Sequence, residues 1–198
     1  MTKSTFHDQD YEYISWQELG NDIFELAQQL LESGREFDRV VALAKGGLTF
    51  SRSLVDYLAI PHLSSLQIEF YTDVNQTAKT PVITQSLPVT VQGEKILVFD
   101  DVVDSGETLK MATQYLKFHG ASELTTAALV TKDWTEFLPD FKARQSGAWF
   151  IFPNETRETI ALLTEKWAKK GDSPEVITQQ LQQVGFSAAE VALFSSLK

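Results

Sequence analysis

The sequence predicts an α/β protein with a doubly wound, mainly parallel sheet. Three observations predict it. Short apolar runs of strand length alternate with segments whose apolar residues recur every three or four positions. Two of these runs end in turns rich in glycine or acid, at 45–47 and 100–108, and each turn leads into a helix pattern. In open α/β sheets ligands bind outside the carboxyl ends of the strands, where both turns fall. The chain of 198 residues, 43% hydrophobic and 22% charged, has ordinary globular composition and is long enough to bury a core without staples.

The elements follow in order. Met1 to Tyr13 is polar and acidic, with no basic start and no apolar run, so it does not read as a signal peptide. Ser15-Trp16-Gln17-Glu18 fits a capping box. Trp16, Leu19, Ile23, Leu26, Leu30 and Leu31 then repeat at helical spacing, and Gly34 is a stop, which predicts a helix over 15–33. Arg39 to Ala44 is an apolar run, read as a buried strand. After Lys45-Gly46-Gly47, helical spacing returns at Leu48, Ser51, Leu54, Val55 and Leu58. His62 to Phe70 alternates weakly and reads as a strand. Tyr71 to Gly93 is polar, with Pro81 and Pro88 and room for a short hairpin; a connection of this length is usually functional or disordered. Lys95 to Phe99 is the next buried strand, followed by a helix to Phe118 that Gly120 stops. Leu124 to Val130 and Ala148 to Phe152 are two further apolar runs. Past 155 the pattern turns helical: Thr159 to Lys169, then Ser173 capping and Pro174 opening a helix to Val184, then Ser187 to Leu197.

Composition excludes several classes. The chain has no cysteine, so it holds no disulfide framework, zinc–thiolate site, iron–sulfur cluster or cysteine nucleophile. Its net charge is −10, which argues against a nucleic-acid surface. No run approaches 18 apolar residues, so no membrane contact is expected, and a cytoplasmic location is. There is no nucleophile elbow, Walker loop or Gly-x-Gly-x-x-Gly, and His7, His62 and His119 lack metal-ligand spacing.

The chemistry concentrates at 96–108. Two adjacent carboxylates, Asp100 and Asp101, stand at a strand's end and can bind a divalent cation or paired sugar hydroxyls. Asp104-Ser105-Gly106-Glu107-Thr108 then opens a helix, where backbone N–H groups and the helix dipole favour an anion. Acids beside an anion cradle suit a ligand with both hydroxyls and a phosphate. The bland reading is a turn with an N-capping aspartate.

The whole string Ile-Leu-Val-Phe-Asp-Asp-Val-Val-Asp-Ser-Gly-Glu-Thr-Leu resembles the phosphoribosyl pyrophosphate (PRPP) motif of the type I phosphoribosyltransferases, with Ser105 in place of the commoner threonine. The resemblance implies that family's fold, with a small hood, over residues 1–155. Residues 156–198 would be a helical extension that packs on the catalytic domain or a partner subunit. It implies that Asp100 and Asp101 face the ribose hydroxyls and a Mg2+ ion, and that the 104–108 loop wraps the 5-phosphate. Lys45, Gly46 and Gly47 are similar to the family's pyrophosphate loop, which often contains a strained non-proline peptide. The polar segment 71–93 stands where the family has a lid, with Tyr71 and Lys79 as candidates.

The resemblance also implies a base. Asp104 matches the aspartate that 6-oxopurine members place near the purine N7, where it would handle the proton. Lys132 matches the lysine that donates to O6. Trp149 and Phe150 lie in a segment similar to the xanthine–guanine members' base-stacking stretch, with Asn154 where a second tryptophan is usual. The expected activity is therefore transfer of phosphoribosyl from PRPP to guanine, xanthine or hypoxanthine by a homo-oligomer, dimer or tetramer. The rivals are a transferase for another base and a regulatory protein that senses PRPP or nucleotide.

Overall fold

The computed structural model describes residues 1–72 and 79–195. Its elements run β1 (Thr2–Phe6), β2 (Gln9–Tyr13), α1 (Trp16–Glu32), β3 (Arg39–Ala44), α2 (Gly46–Tyr57), β4 (His62–Thr72), β5 (Lys79–Gln85) and β6 (Lys95–Val103). They continue α3 (Glu107–Phe118), β7 (Glu123–Thr131), β8 (Phe141–Gln145), β9 (Trp149–Ile151), α4 (Thr156–Lys169), α5 (Pro174–Val184) and α6 (Ala188–Phe194). The chain packs as two compact units, Met1–Gly20 with Gly147–Lys198, and Asn21–Ser146. The expected division after 155 falls inside the first unit, because β9 and α4 belong to it together.

The second unit is the predicted doubly wound sheet. Its six strands lie in the order β5-β4-β3-β6-β7-β8. Every pair is parallel except β4 with β5. The central strands are near-continuous apolar runs, as strands covered on both faces must be. Val41, Leu43, Leu66, Val98, Leu109 and Leu116 form the buried centre of one core. From β3 the chain passes to β4 on one side and later to β6 on the other. The strand order therefore reverses between β3 and β6, and a crevice opens at their carboxyl ends. The turns at 45–47 and 100–108 both emerge there.

The Ala148–Phe152 run does form a strand, but not in this sheet: β9 pairs with β2 in the first unit. The sixth strand of the main sheet is β8, which the sequence hid behind polar residues; Arg144 on it is clasped by Asp22 through two 2.6 Å bonds. In the predicted lid, β4 and β5 are the arms of an antiparallel hairpin. Residues 73–78 of that lid lie outside the described residues, as do the side chains of Tyr71 and Lys79.

The first unit contains a hairpin the sequence reading missed. His7 and Asp8 have φ of 50° and 62°, the left-handed pair that a two-residue hairpin needs. Lys3 and Glu12 stand opposite each other and form an ion pair of 2.7 Å. β1, β2 and β9 make a three-stranded sheet. The predicted C-terminal helices pack onto it: Tyr11, Ile151, Ile160, Leu163, Trp167 and Leu181 share one buried core. The predicted caps are present. Glu18 N–H donates to Ser15 Oγ at 3.3 Å and Ser15 N–H to Glu18 Oε2 at 3.0 Å. Val176 N–H donates to Ser173 Oγ at 3.4 Å. Among the described residues, no helix is long and apolar enough to cross a membrane.

Candidate active site

β6 carries the acid pair. The strand runs to Val103, so Asp100 and Asp101 sit within its last turns of pleat, not just past it as the sequence suggested. The Asp101 N–H donates to Asp100 Oδ1 at 3.0 Å, and the Val102 N–H to Asp101 Oδ1 at 2.9 Å. Burial, then the charge of Asp101, pushes the Asp100 carboxyl well above the usual carboxylate range. Burial also raises that of Asp101. Two crowded carboxylates with raised proton affinity are a site that a cation or hydroxyl donors would relieve.

The glycine turn packs against this pair. A Cβ on Gly46 would lie 2.1 Å from Asp101 Oδ2, and one on Gly47 would lie 2.7 Å from the Phe99 carbonyl oxygen. Only residues without side chains let the start of α2 approach β6 this closely. The Ala44–Lys45 peptide bond is cis. Lys45 is exposed.

The phosphate-loop candidates follow β6. Gly106 has φ +93°, and a Cβ there would meet the Phe137 carbonyl oxygen at 2.6 Å. It precedes α3 and no side chain caps it. Within the loop, Ser105 Oγ accepts the Glu107 N–H at 3.3 Å. The first N–H groups of a helix have no partner within it, so this end remains suited to an anion. A cavity of about 480 Å³ opens here, lined by Phe70, Asp100 and residues 102–109. That volume suits a small-molecule ligand.

A segment that sequence reasoning passed over braces this loop. The Thr135 hydroxyl lies 2.6 Å from the Asp104 carbonyl oxygen and 2.9 Å from that of Val103, and it accepts the Lys132 N–H at 3.0 Å. The Glu136 and Phe137 N–H groups reach Ser105 O at 3.1 and 3.3 Å. Trp134 Nε1 donates to Asp104 Oδ1 at 2.6 Å. The buried Lys132 has its Nζ 5.9 Å from the Trp134 ring centroid. Trp134 therefore bonds Asp104 and has the Lys132 ammonium over its ring. Its only sequence signal was its place two residues after Lys132. Phe70 on the cavity wall had none.

Trp149 and Phe150 belong to the first unit, on β9. Trp149 is half-buried and stacks on Tyr11 at 5.8 Å between centroids, with Lys166 Nζ 4.8 Å from its ring. Phe150 is buried beside Phe152.

The residues fit a magnesium ion. Magnesium takes hard oxygen donors and commonly uses one or two carboxylates with substrate phosphates and waters. Asp100 and Asp101 are such a pair, and burial disfavours their negative charge when they stand alone.

Residues 12–159 match the phosphoribosyl transferase domain family. The chain belongs to that family. It is 28% identical over 158 residues to a xanthine-guanine phosphoribosyltransferase of Nitratidesulfovibrio vulgaris, covering 77% of this chain and 90% of the relative. It is 27% identical over 164 residues to the "Bifunctional protein PyrR" of Pseudomonas savastanoi pv. phaseolicola, covering 81% of this chain and 89% of that protein. A crystal structure of a purine phosphoribosyltransferase from Pyrococcus horikoshii superposes with a TM-score of 0.65 at 30% identity, covering 72% of this chain and 92% of that one. The phosphoribosyltransferase match thus takes in both turns and β6.

Proposed function

We propose that this phosphoribosyltransferase moves the 5-phosphoribosyl group of PRPP to a 6-oxopurine, giving the nucleoside 5′-monophosphate and pyrophosphate. The observation that carries the reading is the joining of Asp104 and Lys132 through Trp134 beside the PRPP-loop cavity. Relatives named for xanthine, guanine and hypoxanthine support it.

The bond from the anomeric carbon to the pyrophosphate oxygen breaks, the new carbon–nitrogen bond forms, and the base gives up its ring proton. Asp100 and Asp101 bind and orient the ribose hydroxyls. The 104–108 loop holds the 5-phosphate through its amides, and the turn at 45–47 holds the pyrophosphate through backbone. Magnesium, when bound, neutralises the leaving group. Asp104 takes the proton from the N7 side, and Lys132 donates to O6. The resemblance would have Trp149 stack on the base and the Phe150 backbone meet its 2-substituent. Catalysis is then positioning and charge stabilisation, with no covalent nucleophile. The reading includes a cytoplasmic homo-oligomer.

The test is product formation from PRPP and magnesium with guanine, xanthine, hypoxanthine, adenine, uracil or orotate, each alone. Turnover of a 6-oxopurine is expected. Turnover only of adenine or a pyrimidine overturns the base assignment and leaves the PRPP site standing. PRPP binding without turnover of any base favours a sensing protein on the same fold.

A further inference from the structure

We infer that Trp134 is a positioning residue for Asp104, and that its indole N–H, not its ring, sets the rate of transfer. The inference rests on the function proposed above, because it takes Asp104 as the group that meets the base.

The Trp134 side chain is 57% exposed, so burial does not account for it. Its only polar atom donates to a carboxylate oxygen at 2.6 Å, at the short end for a charge-assisted bond. The contact is not a meeting of two mobile side chains. Thr135 lies against the Asp104 and Val103 carbonyl oxygens, and the next two amides reach Ser105 O. The backbone that carries the indole is thereby locked to the backbone that carries the carboxylate. Holding Oδ1 from this fixed base sets the plane of the carboxylate and turns Oδ2 to the ligand. A carboxylate has lone pairs enough to serve both. The ring face lies 5.9 Å from Lys132 Nζ. One side chain thus sets Asp104 with its edge and borders Lys132 with its face. These two contacts separate chemically, because phenylalanine keeps an aromatic face and has no N–H.

Trp134→Phe and Trp134→Gln, made in the full chain, test this. The base is whichever the wild type turns over fastest. Trp134→Phe is expected to lower kcat about tenfold, the low end for a hydrogen bond to a charged group because the pair is exposed. Its KM for PRPP should stay within about twofold, since the loop keeps its bonds to Thr135, Glu136 and Phe137. Trp134→Gln restores an N–H donor without the ring and should recover part of the rate. A second readout needs no turnover. The chain has 4 tryptophans, so the indole ¹⁵N–H spectrum holds few signals, and Trp134→Phe assigns one by its loss. Asp104→Ala should move that signal upfield. A signal that stays put means the bond is absent and overturns the inference. So does full-rate Trp134→Phe, or Trp134→Gln no faster than Trp134→Phe. A wild-type protein that turns over no base overturns the function proposed above, and the inference with it. An active wild type with an unaffected Trp134→Phe overturns the inference alone.

Discussion

Gly46→Ala probes the packing of the glycine turn on the acid pair. Gly46 is not in the left-handed region, so alanine meets no backbone penalty there. The added Cβ would lie 2.1 Å from Asp101 Oδ2, about 1.4 Å short of an ordinary van der Waals contact. The Phe99 and Asp100 backbone is fixed within the sheet, so the Asp101 carboxylate is what yields, by rotating away. Rotation breaks the Val102 N–H bond to Asp101 Oδ1, worth about 1.5 kcal/mol or somewhat more for a charged acceptor. Replacing glycine returns about 0.4–1 kcal/mol through the unfolded chain. The net loss is on the order of 1 kcal/mol, a fall of about 2–4 °C in Tm for a chain of this size. The effect on the site is far larger. A catalytic group misplaced by about 1 Å can lose about 100-fold in rate. Gly46→Ala should therefore melt almost like the wild type and lose about 100-fold in kcat/KM for PRPP. Scanning calorimetry and steady-state kinetics at varied PRPP measure the two. A kcat/KM within about threefold of wild type would refute the role given to the Asp101 position. A fall in Tm beyond about 10 °C would show that the turn is structural first.

Asp100 gives a stability prediction with a defined sign. A carboxyl whose folded pKa is raised contributes stability that is full below its unfolded value, near 3.9, and is lost as pH rises through the folded value. Ligand-free Asp100→Asn escapes that loss, so it should melt above the wild type at pH 7, with the gap closing below about pH 4; equal Tm at pH 7 would contradict the crowding of the pair. Asp104→Asn should lower kcat far more than it weakens PRPP binding measured by calorimetry, and equal losses would remove its acid–base role. Arg144→Met leaves Asp22, whose side chain is 6% exposed, without its two 2.6 Å bonds, and should cost about 3–5 kcal/mol in urea unfolding. The double variant Asp22→Leu with Arg144→Met should regain most of it, and no recovery would mean that the pair's desolvation is unimportant. Trp167→Ala should cost about 3–5 kcal/mol, because the indole is fully buried against Phe6 and Tyr11, and proteolysis should then begin in 156–195.

What the sequence revealed and concealed follows the range of the interactions. The helix caps at Ser15 and Ser173 were legible because cap and partner are three residues apart. β3, β6 and β7 were legible because both faces are buried and their runs are apolar throughout. β8 was not: its burial is only partial, and the partner that makes Arg144 tolerable lies 122 positions away. The 148–152 run read correctly as a strand, but a strand does not carry the address of its sheet, and Tyr11 opposite Trp149 comes from the other end of the chain. The same division holds in the site. Asp100 to Thr108 is one contiguous string and was read whole. Trp134 and Thr135 act on Asp104 from about 30 residues away, with α3 and β7 between, and no local pattern announces that return. Phe137 matters only because Gly106 lets it come so near.

The electrostatics of the site constrain how it can hold a polyanion. The chain has a net charge of −10. Among the described residues lining the cavity, Asp100, Asp104 and Glu107 are acidic and none is basic. The side chains lining this cavity therefore oppose a phosphorylated ligand instead of drawing it in. Besides Lys45 and Lys132, which lie outside that lining, two sources of positive potential bear on it. One is the backbone: the start of α3 follows Gly106, whose left-handed φ and contact with Phe137 hold the loop open without a side chain in the way. The other can arrive with the ligand, because burial disfavours negative charge on Asp100 and Asp101. A divalent cation carried on the pyrophosphate meets both needs at once, relieving the carboxylates and lowering the ligand's charge. On the function proposed above, this pair would make the protein select a cation–PRPP complex over PRPP alone. Asp100→Asn, by removing one of those charges, should raise the melting temperature and erase that preference together.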